Sequence, residues 1–329
     1  MRLLLTNTGS YPRIGEAPEQ QEVRRTLAAR ERGDKTAEDL GAAEDAAVRA
    51  AIEDQVRAGL DLVTDGQIRW YDSISHLAGK LAGIEINGLL RFFDTNFYFR
   101  QPVVKGPLSR REGIILPEFA FAKSVSPKPV KPVLTGPYTL ARATLVEHAP
   151  YKQLEPLVHA YAECLAAELE ALAAAGAELI QLDEPAILKH PTDCPVFSRA
   201  IEFLARHKGR ARLALYVYFG DPSPLYERLQ KLPIDVLGLD FTYNPKLVNK
   251  IVMGGPSKAL GIGLIDGRNT RLEDSKSIAQ QIDRILPRVQ AEFCYLNPSC
   301  GLEYLPRDRA FAKLERMAAI RAAVKGVTK

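Results

Sequence analysis

Several short apolar stretches of this chain end in acidic or amide side chains beside a glycine or proline. In residues 179–185, the run Leu-Ile-Gln-Leu is followed by Asp183, Glu184 and Pro185. This run follows a long alanine-rich segment ending at Gly176, a pattern typical of a helix that leads into a buried strand. Ligands of parallel α/β sheets bind where the strands end, so both carboxylates are candidates for a ligand site. A capping aspartate beside an exposed glutamate is the alternative interpretation.

The same layout recurs at the ends of the other predicted strands. Glycine there permits tight turns and close approach to a ligand, and the acids, which outnumber the bases, suit a ligand with amine donors or a metal with oxygen ligands. Cys300 is the one soft nucleophile among them, and no histidine follows a strand to activate it, which argues against cysteine catalysis. The strand ends carry Gly9 and Ser10, Asp65 and Gln67, Thr135, Asp183 and Glu184, Tyr218 and Asp221, Asp240, Asp266 and Arg268, and Asn297 and Cys300.

Eight short apolar runs alternate with helix-length segments, and no Pro/Gly/Ser-rich linker divides the chain. This alternation predicts an α/β fold, a single (β/α)8 TIM barrel formed by residues 1–329 as one domain. A doubly wound open sheet is the alternative, against which the lack of a glycine fingerprint after the first strand counts. The predicted strands are 3–8, 60–66, 131–137, 179–182, 212–219, 235–240, 259–266 and 293–297, and helices are predicted at about 151–175 and 307–324.

Residues 85–125 interrupt this alternation after the second β/α unit. Two aromatic-rich runs, 89–93 and 97–104, flank Asp94-Thr95-Asn96 and predict a β-hairpin. The segment is too long for a connecting loop, so a functional insertion is expected, with a simple cover over the barrel end as the plainer interpretation.

Composition and charge exclude several classes of protein. The 46% hydrophobic and 26% charged residues are ordinary for a globular protein, and 44 basic against 40 acidic residues argue against a nucleic-acid partner. No run approaches the ~20 apolar residues of a membrane span, and the N-terminus lacks a signal sequence, which predicts a cytoplasmic protein with no membrane partner. Four cysteines without CxxC spacing suit a reducing compartment.

The motifs at the strand ends, taken in their order along the chain, resemble those of the cobalamin-independent methionine synthases. That family transfers a methyl group from a methylated folate to homocysteine and is built from two related (β/α)8 barrels. The resemblance covers nearly the whole chain and corresponds to one barrel, mostly of the amino-terminal-half type, while 297–301 is closer to the carboxyl-terminal half. The matching residues are 9–15, 93–96, 131–137, 181–186, 218–221, 266–269 and 297–301.

The resemblance implies roles for particular residues. In the family, the first-strand Gly-Ser, an acid after the second strand and the acid of the Asp-Glu-Pro motif hold the amino-acid part of homocysteine. Here the second of these is Gln67, whose amide forms a hydrogen bond but gives no ionic attraction to an ammonium group. The implied substrate-binding residues are Gly9, Ser10, Gln67, Asp183 and Glu184; the folate or lid contacts are Arg13, Trp70, Asp94, Asn96 and Arg268; and the catalytic candidates are Tyr218 and Asp221.

The family's zinc site is only partly present. There, a His-x-Cys pair after the fifth strand, an acid after the sixth and a cysteine after the eighth hold the zinc that keeps homocysteine as thiolate. Here the fifth-strand positions are Tyr216-Val217-Tyr218, which leaves Asp240 and Cys300 as the metal-ligand candidates. Structural and catalytic zinc sites use three or four protein ligands, so the resemblance argues against bound zinc.

Two functions follow as hypotheses. The first is a methyltransferase of methionine biosynthesis that moves a methyl group from a methylated folate, as co-substrate, or from a corrinoid donor to homocysteine; its partners are a small-molecule thiol and the methyl donor. Tyr216 or Tyr218 would be a weak base, because an unperturbed phenol has a pKa near 10. The second is a non-catalytic folate-binding or scaffold subunit that pairs with a separate zinc-bearing catalytic barrel, which explains the missing ligands.

Overall fold

Short apolar runs form the central strands, as expected for parallel strands that are covered on both faces. The computed structural model describes residues 1–327, so the last two residues of the predicted domain lie outside the described part. The strands are β1 (Arg2–Leu5), β2 (Leu81–Arg91), β3 (Tyr98–Arg110), β4 (Val133–Thr135), β5 (Leu145–Val146), β6 (Leu179–Asp183), β7 (Arg212–Val217), β8 (Val236–Asp240), β9 (Ala259–Ile265) and β10 (Phe293–Pro298).

Helices alternate with these strands. The predicted helices at 151–175 and 307–324 are present at Leu154–Ala174 and Arg307–Ala323. The helices are α1 (Glu22–Glu31), α2 (Ala37–Arg57), α3 (Ser75–Ala78), α4 (Leu116–Val125), α5 (Pro137–Ala143), α6 (Leu154–Ala174), α7 (Cys194–Ala205), α8 (Tyr226–Lys231), α9 (Leu247–Gly254), α10 (Ser275–Ile285) and α11 (Arg307–Ala323), with 3-10 turns at Pro18–Gln21, Ala149–Tyr151, Pro185–Leu188, Pro191–Asp193 and Leu286–Arg288. Within residues 1–327, no helix combines the length and apolarity needed to cross a membrane.

Seven strands form one parallel sheet in the order β1-β10-β9-β8-β7-β6-β4. The predicted α/β class and parallel sheet are therefore confirmed. The register places Asp183 beside Tyr216, Tyr216 beside Gly238, and Gly238 beside Gly261. Because the strands are parallel, their carboxyl ends lie at one rim, where the predicted strand-end residues meet.

The predicted second strand, 60–66, is present only as isolated pairings. Parallel bridges join Thr6 to Leu62 and Val63 to Val130, between the two edges of the seven-stranded sheet. Side chains take the place of backbone hydrogen-bond partners here. Leu5 N donates to Asp61 Oδ2 at 2.7 Å, and Thr64 N donates to Gln55 Oε1 at 2.9 Å. These side-chain bonds explain why the segment forms no regular strand.

An antiparallel pair, β2 and β3, lies within the sequence between α3 and α4. The pairing extends from Leu81 to Arg110, so the two strands are longer than the predicted runs 89–93 and 97–104. The connecting segment carries Phe92 and Phe93, whose rings lie 5.9 and 5.3 Å from the ring of Phe219, just after β7. The tip of the pair therefore packs against the carboxyl ends of the parallel strands.

Candidate functional site

A cavity of about 350 Å³ opens at the carboxyl ends of the strands. Its lining combines aromatic rings with polar and charged groups and includes Ser10, Arg13, Gln67, Trp70, Tyr98 and Glu303. A deeper pocket of about 10 Å³, room for about one water molecule, shares Ser10, Gln67 and Glu303 with it. Gly9, Asp183, Tyr218 and Gly301 also line this inner pocket. The structure thus brings together most of the residues that the sequence placed in the substrate site.

The loop after β1 meets the loop after β10 at this inner pocket. Ser10 Oγ donates a hydrogen bond to Glu303 Oε2. A β-carbon at Gly301 would overlap both of these groups, so glycine leaves room for this hydrogen bond. Burial raises the pKa of Glu303 to about 7, and the nearby charge of Asp183 adds to the increase. Glu303 is therefore an acid of the site that sequence reasoning did not identify.

Gln67 reaches the same pocket from a strained turn. Its φ is 52°, a left-handed conformation that few residues other than glycine adopt, and Gly66 before it has a φ of 71°. Gln67 N donates to Asp65 Oδ1 at 3.1 Å, and the Thr64 hydroxyl donates to Gly9 O at 2.6 Å. These bonds hold the turn against the first loop and direct the amide into the pocket.

Asp183 lies at the top of a buried polar network. Its two oxygens accept hydrogen bonds from Gln181 Nε2 at 2.6 Å and from the Tyr218 hydroxyl at 3.0 Å. Below it, the fully buried Lys131 donates to Gln181 Oε1 at 2.5 Å and to Asn7 O at 2.8 Å. Burial raises the pKa of Asp183 and lowers the pKa of Lys131, and their mutual attraction opposes both shifts.

Glu184, predicted to bind substrate, is turned to the other side of β6. It is fully buried and accepts hydrogen bonds from Tyr138 N at 2.9 Å, Thr139 N at 2.7 Å and the Thr139 hydroxyl at 2.6 Å. A β-carbon at Gly136 would overlap the Glu184 carboxylate, so glycine lets it reach the start of α5. Glu184 therefore caps α5, while the adjacent Asp183 faces the cavity, because successive strand residues point to opposite faces.

Tyr216 and Tyr218 are the two residues that the sequence resemblance aligned with a His-x-Cys pair. Tyr216 is 2% exposed, and a β-carbon at either Gly238 or Gly261 would overlap its side chain. The two glycines therefore make room for a phenol ring inside the sheet. Burial raises the pKa of both tyrosines well above its usual value, so both hydroxyls stay protonated at neutral pH.

The two remaining metal-ligand candidates are engaged by other groups. Asp240 accepts hydrogen bonds from Thr242 N at 2.8 Å, the Thr242 hydroxyl at 2.6 Å and Phe219 N at 3.3 Å. Cys300 is fully buried, and burial raises the pKa of its thiol. Across residues 1–327, no three His, Cys, Asp or Glu side chains are grouped to hold a metal ion. Two phenols in place of an imidazole and a thiolate do not fit a zinc site.

Trp70 forms part of the aromatic wall and is the chain's single tryptophan. Its Nε1 donates to Glu118 Oε2 at 2.8 Å, and its ring stacks on His76 with centroids 5.0 Å apart. Glu118 also contacts His76 Nε2 at 2.8 Å and Lys80 Nζ at 2.7 Å. Glu118 and His76 therefore hold the indole ring in place, and its fluorescence can report ligand binding in this cavity.

Hydrogen bonds join the tip of the β2/β3 pair to loops at the carboxyl ends of the parallel strands. The Tyr243 hydroxyl donates to Asp94 Oδ2 at 3.0 Å, and Arg268 donates to Tyr243 at 2.6 Å and lies 3.4 Å from Asp94. Asp94 and Arg268, predicted as folate or lid contacts, thus contact each other. Asn96 is exposed beside Arg91, and Asp221 is exposed and accepts from Ser223 N at 2.9 Å, away from the cavity.

A parallel α/β sheet with a polar, aromatic-walled cavity at the strand ends defines the class: a TIM-barrel-like fold with a candidate small-molecule site. The sequence model described as "Cobalamin-independent synthase, Catalytic domain" matches residues 4–323. The chain belongs to the cobalamin-independent methionine synthase family, as its motifs predicted. The matching model describes the catalytic domain, whereas most of the motifs indicated the amino-terminal half.

Individual relatives agree with this assignment. Proteins named methionine synthase from Sulfurisphaera tokodaii and Saccharolobus solfataricus are 34% and 32% identical; each alignment covers 92% of this chain, and 89% and 91% of the relative. A solved B12-independent methionine synthase from Shewanella, in complex with selenomethionine, superposes with a TM-score of 0.79 at 24% identity, covering 98% of this chain and 97% of the other. This structural likeness concerns the fold.

Proposed function

We propose that this chain is a methionine-synthase-like methyltransferase that moves a methyl group from a methylated folate to the thiol of homocysteine; a corrinoid donor is the alternative. The observation that carries the proposal is one cavity with acids at its floor and aromatic rings in its wall. Asp183 and Glu303 line the floor, while Trp70, Tyr71 and Tyr98 line the wall. The names of the relatives support the same reaction.

The floor suits the amino-acid part of homocysteine. Burial, and to a lesser extent the charge of Asp183, raises the pKa of Glu303, and both carboxyl groups line the inner pocket. An ammonium group between them would offset the repulsion between the two carboxylates and donate a hydrogen bond to each. The amide of Gln67 is a neutral donor suited to the substrate carboxylate.

The wall suits a flat ligand with acidic groups. Aromatic side chains such as Trp70 and Tyr71 stack on planar rings, and Arg13 lies 5.8 Å from the ring centroid of Tyr71. A guanidinium group here would pair with a carboxylate of the methyl donor. The donor's ring and the homocysteine thiol would then meet between wall and floor.

Methyl transfer in this cavity would use the thiol at its own acidity, because the residues present do not fit zinc. A thiol of pKa about 8.5 is a few per cent thiolate at neutral pH, and the thiolate is an intrinsically strong nucleophile. The sulfur–methyl bond forms as the donor's nitrogen–methyl bond breaks; the thiol proton goes to solvent, and the donor nitrogen takes up a proton. The protein supplies orientation and excludes water.

The same proposal treats residues 1–329 as one closed eight-stranded barrel, with residues 85–125 inserted over its mouth. The two parallel bridges at Leu62 and Val63 support closure, since they lie between the edges of the seven-stranded sheet. The antiparallel pairing of β2 with β3, and the packing of Phe92 and Phe93 on Phe219, support the insertion.

The test is methionine formation from homocysteine and 5-methyltetrahydrofolate by the purified full chain. Asp183→Asn removes the charge that faces the ammonium and should lower kcat/KM about 10–150-fold. Asp308→Asn, on the exposed first turn of α11, is the matched control and should leave the rate unchanged. Equal rates for the two variants would contradict the proposal.

A second candidate is a non-catalytic subunit that binds folate and pairs with a separate zinc-bearing barrel. The observation that favours it is the pair of phenols, Tyr216 and Tyr218, at the zinc-ligand positions. On this alternative the chain alone forms no methionine, and a barrel with an intact His-x-Cys pair must be added to obtain the product.

A further inference from the structure

A second cavity, of about 210 Å³, shares one lining residue, Phe92, with the first. Its inner surface is apolar and buried: Ile74, Phe92, Phe99 and Ala186 are each at most 8% exposed. It is smaller than the ~300–1,000 Å³ typical of drug-sized ligands, so its ligand would be a small molecule with an apolar body.

The rim of the second cavity is basic. The lining includes Arg91, Arg142, Lys189 and His190 and contains no Asp or Glu. Arg142 pairs with Asp193, and Arg91 donates to the neutral Thr95 O at 2.5 Å. Over residues 1–327, no carboxylate lies within ion-pair distance of Lys189 or His190. One acid thus faces three permanent cations.

The electrostatics of His190 agree with this excess of positive charge. Burial lowers its pKa, the Arg142 and Lys189 charges lower it further, and Asp193 opposes them. The Lys189 ammonium lies 4.6 Å from the ring centroid of Phe93, above the aromatic part of the cavity. A bound anion would be attracted to this rim and would shift the His190 pKa upwards.

We propose that the second cavity binds a small organic carboxylate with a flat apolar body, with the body against Phe92 and Phe99 and the carboxylate at Lys189 and His190. The apolar floor excludes a bare inorganic anion as the best ligand, and the basic rim disfavours a neutral ring. This site is separate from the proposed methyl-transfer cavity, so its test needs no methyl donor and no activity.

The probe is benzoate, titrated into the full chain by calorimetry and by NMR of the histidine ring protons. Benzoate should bind saturably and should raise the pKa of His190. Benzamide and inorganic phosphate should each bind about tenfold more weakly than benzoate. His190→Gln identifies the signal among the five histidines. Lys189→Gln should weaken benzoate about three- to fivefold, whereas Lys276→Gln, exposed on α10, should not.

Lys189 is exposed, so its replacement tests binding without disturbing the core. No benzoate binding, benzamide or phosphate binding as tightly as benzoate, an unchanged His190 pKa, or equal effects of the two lysine variants would each overturn the proposal.

Discussion

Replacement of Glu303 by glutamine tests whether the floor of the cavity recognises an amino group. Glutamine keeps the shape of the side chain and can still accept from Ser10, but it loses the charge. A hydrogen bond between an ammonium and a carboxylate contributes about 1.5–3 kcal/mol. We therefore expect Glu303→Gln to weaken homocysteine binding about 10–150-fold.

The assay is Trp70 fluorescence during titration with two ligands, homocysteine and 4-mercaptobutanoate, which lacks the amino group. Glu303→Gln should weaken only homocysteine, and Glu53→Gln, on the exposed face of α2, should weaken neither. Equal losses for both ligands would refute amino-group recognition.

The same site gives a pH dependence with a defined sign. The pKa of Glu303 is raised to about 7, so below pH 7 the free carboxyl becomes protonated and loses its attraction for an ammonium group. Homocysteine affinity should fall as the pH drops below 7, by up to about tenfold per unit, in the wild type. The Glu303→Gln variant should show a weaker dependence, which Asp183 alone maintains because burial raises its pKa to about 7 as well; an identical pH profile in both proteins would contradict the assignment.

Three further predictions concern the interior and the reaction. Gly238→Ala should lower the free energy of unfolding in urea by about 1–3 kcal/mol, because its β-carbon would overlap Tyr216. Gly41→Ala, in α2 with open space around it, should raise the free energy of unfolding by about 0.5–1 kcal/mol. Equal changes in the two variants would contradict the packing of Tyr216 against Gly238. Lys131→Met should destabilise by about 1–3 kcal/mol in the same assay, because Gln181 and Asn7 lose a buried hydrogen-bond donor; a neutral effect would contradict that network. The rate of methionine formation should rise about tenfold per pH unit up to about pH 8.5, where the thiol ionises, and a flat profile between pH 6 and 8 would indicate a thiolate stabilised by another group.

Much of the parallel sheet was predictable from the sequence, because strands covered on both faces are continuous apolar runs that end at glycine or an acid. The run 212–219 led directly to β7 and the run 259–266 to β9. The segment 60–66 has the same composition but forms only isolated bridges, since Asp61 and Gln55 take up backbone groups that a ladder would use. Such side-chain competition depends on α2 lying alongside, which local sequence does not report.

The site was predictable in part. Asp183, Ser10 and Gln67 line the inner pocket, whereas the neighbouring Glu184 caps α5. Strand alternation explains this difference, although the sequence alone does not tell which of two adjacent acids points inward. Glu303 was missed because it follows Gly301 in an irregular loop. The signal was a single acid two residues beyond a glycine, and its meaning depends on the contact with Ser10.

The tyrosines at the zinc-ligand positions implied by the resemblance were visible in the sequence, but their packing in the structure was not. Tyr216 fills the interior only because Gly238 and Gly261, its neighbours across the sheet, lack side chains. Three distant positions therefore form one packing unit. Restoring histidine at position 216 alone would leave space beside both glycines.

The most direct test of the central claim measures methionine formation and zinc content in the same preparation of the full chain. We predict that the chain forms methionine from homocysteine and 5-methyltetrahydrofolate while it contains well below one zinc atom per chain. Cys300→Ser should leave the metal content unchanged. Stoichiometric zinc that is lost in Cys300→Ser, together with activity that follows the zinc, would contradict the account. No methionine from the chain alone would equally contradict it and would favour the subunit that pairs with a separate catalytic barrel.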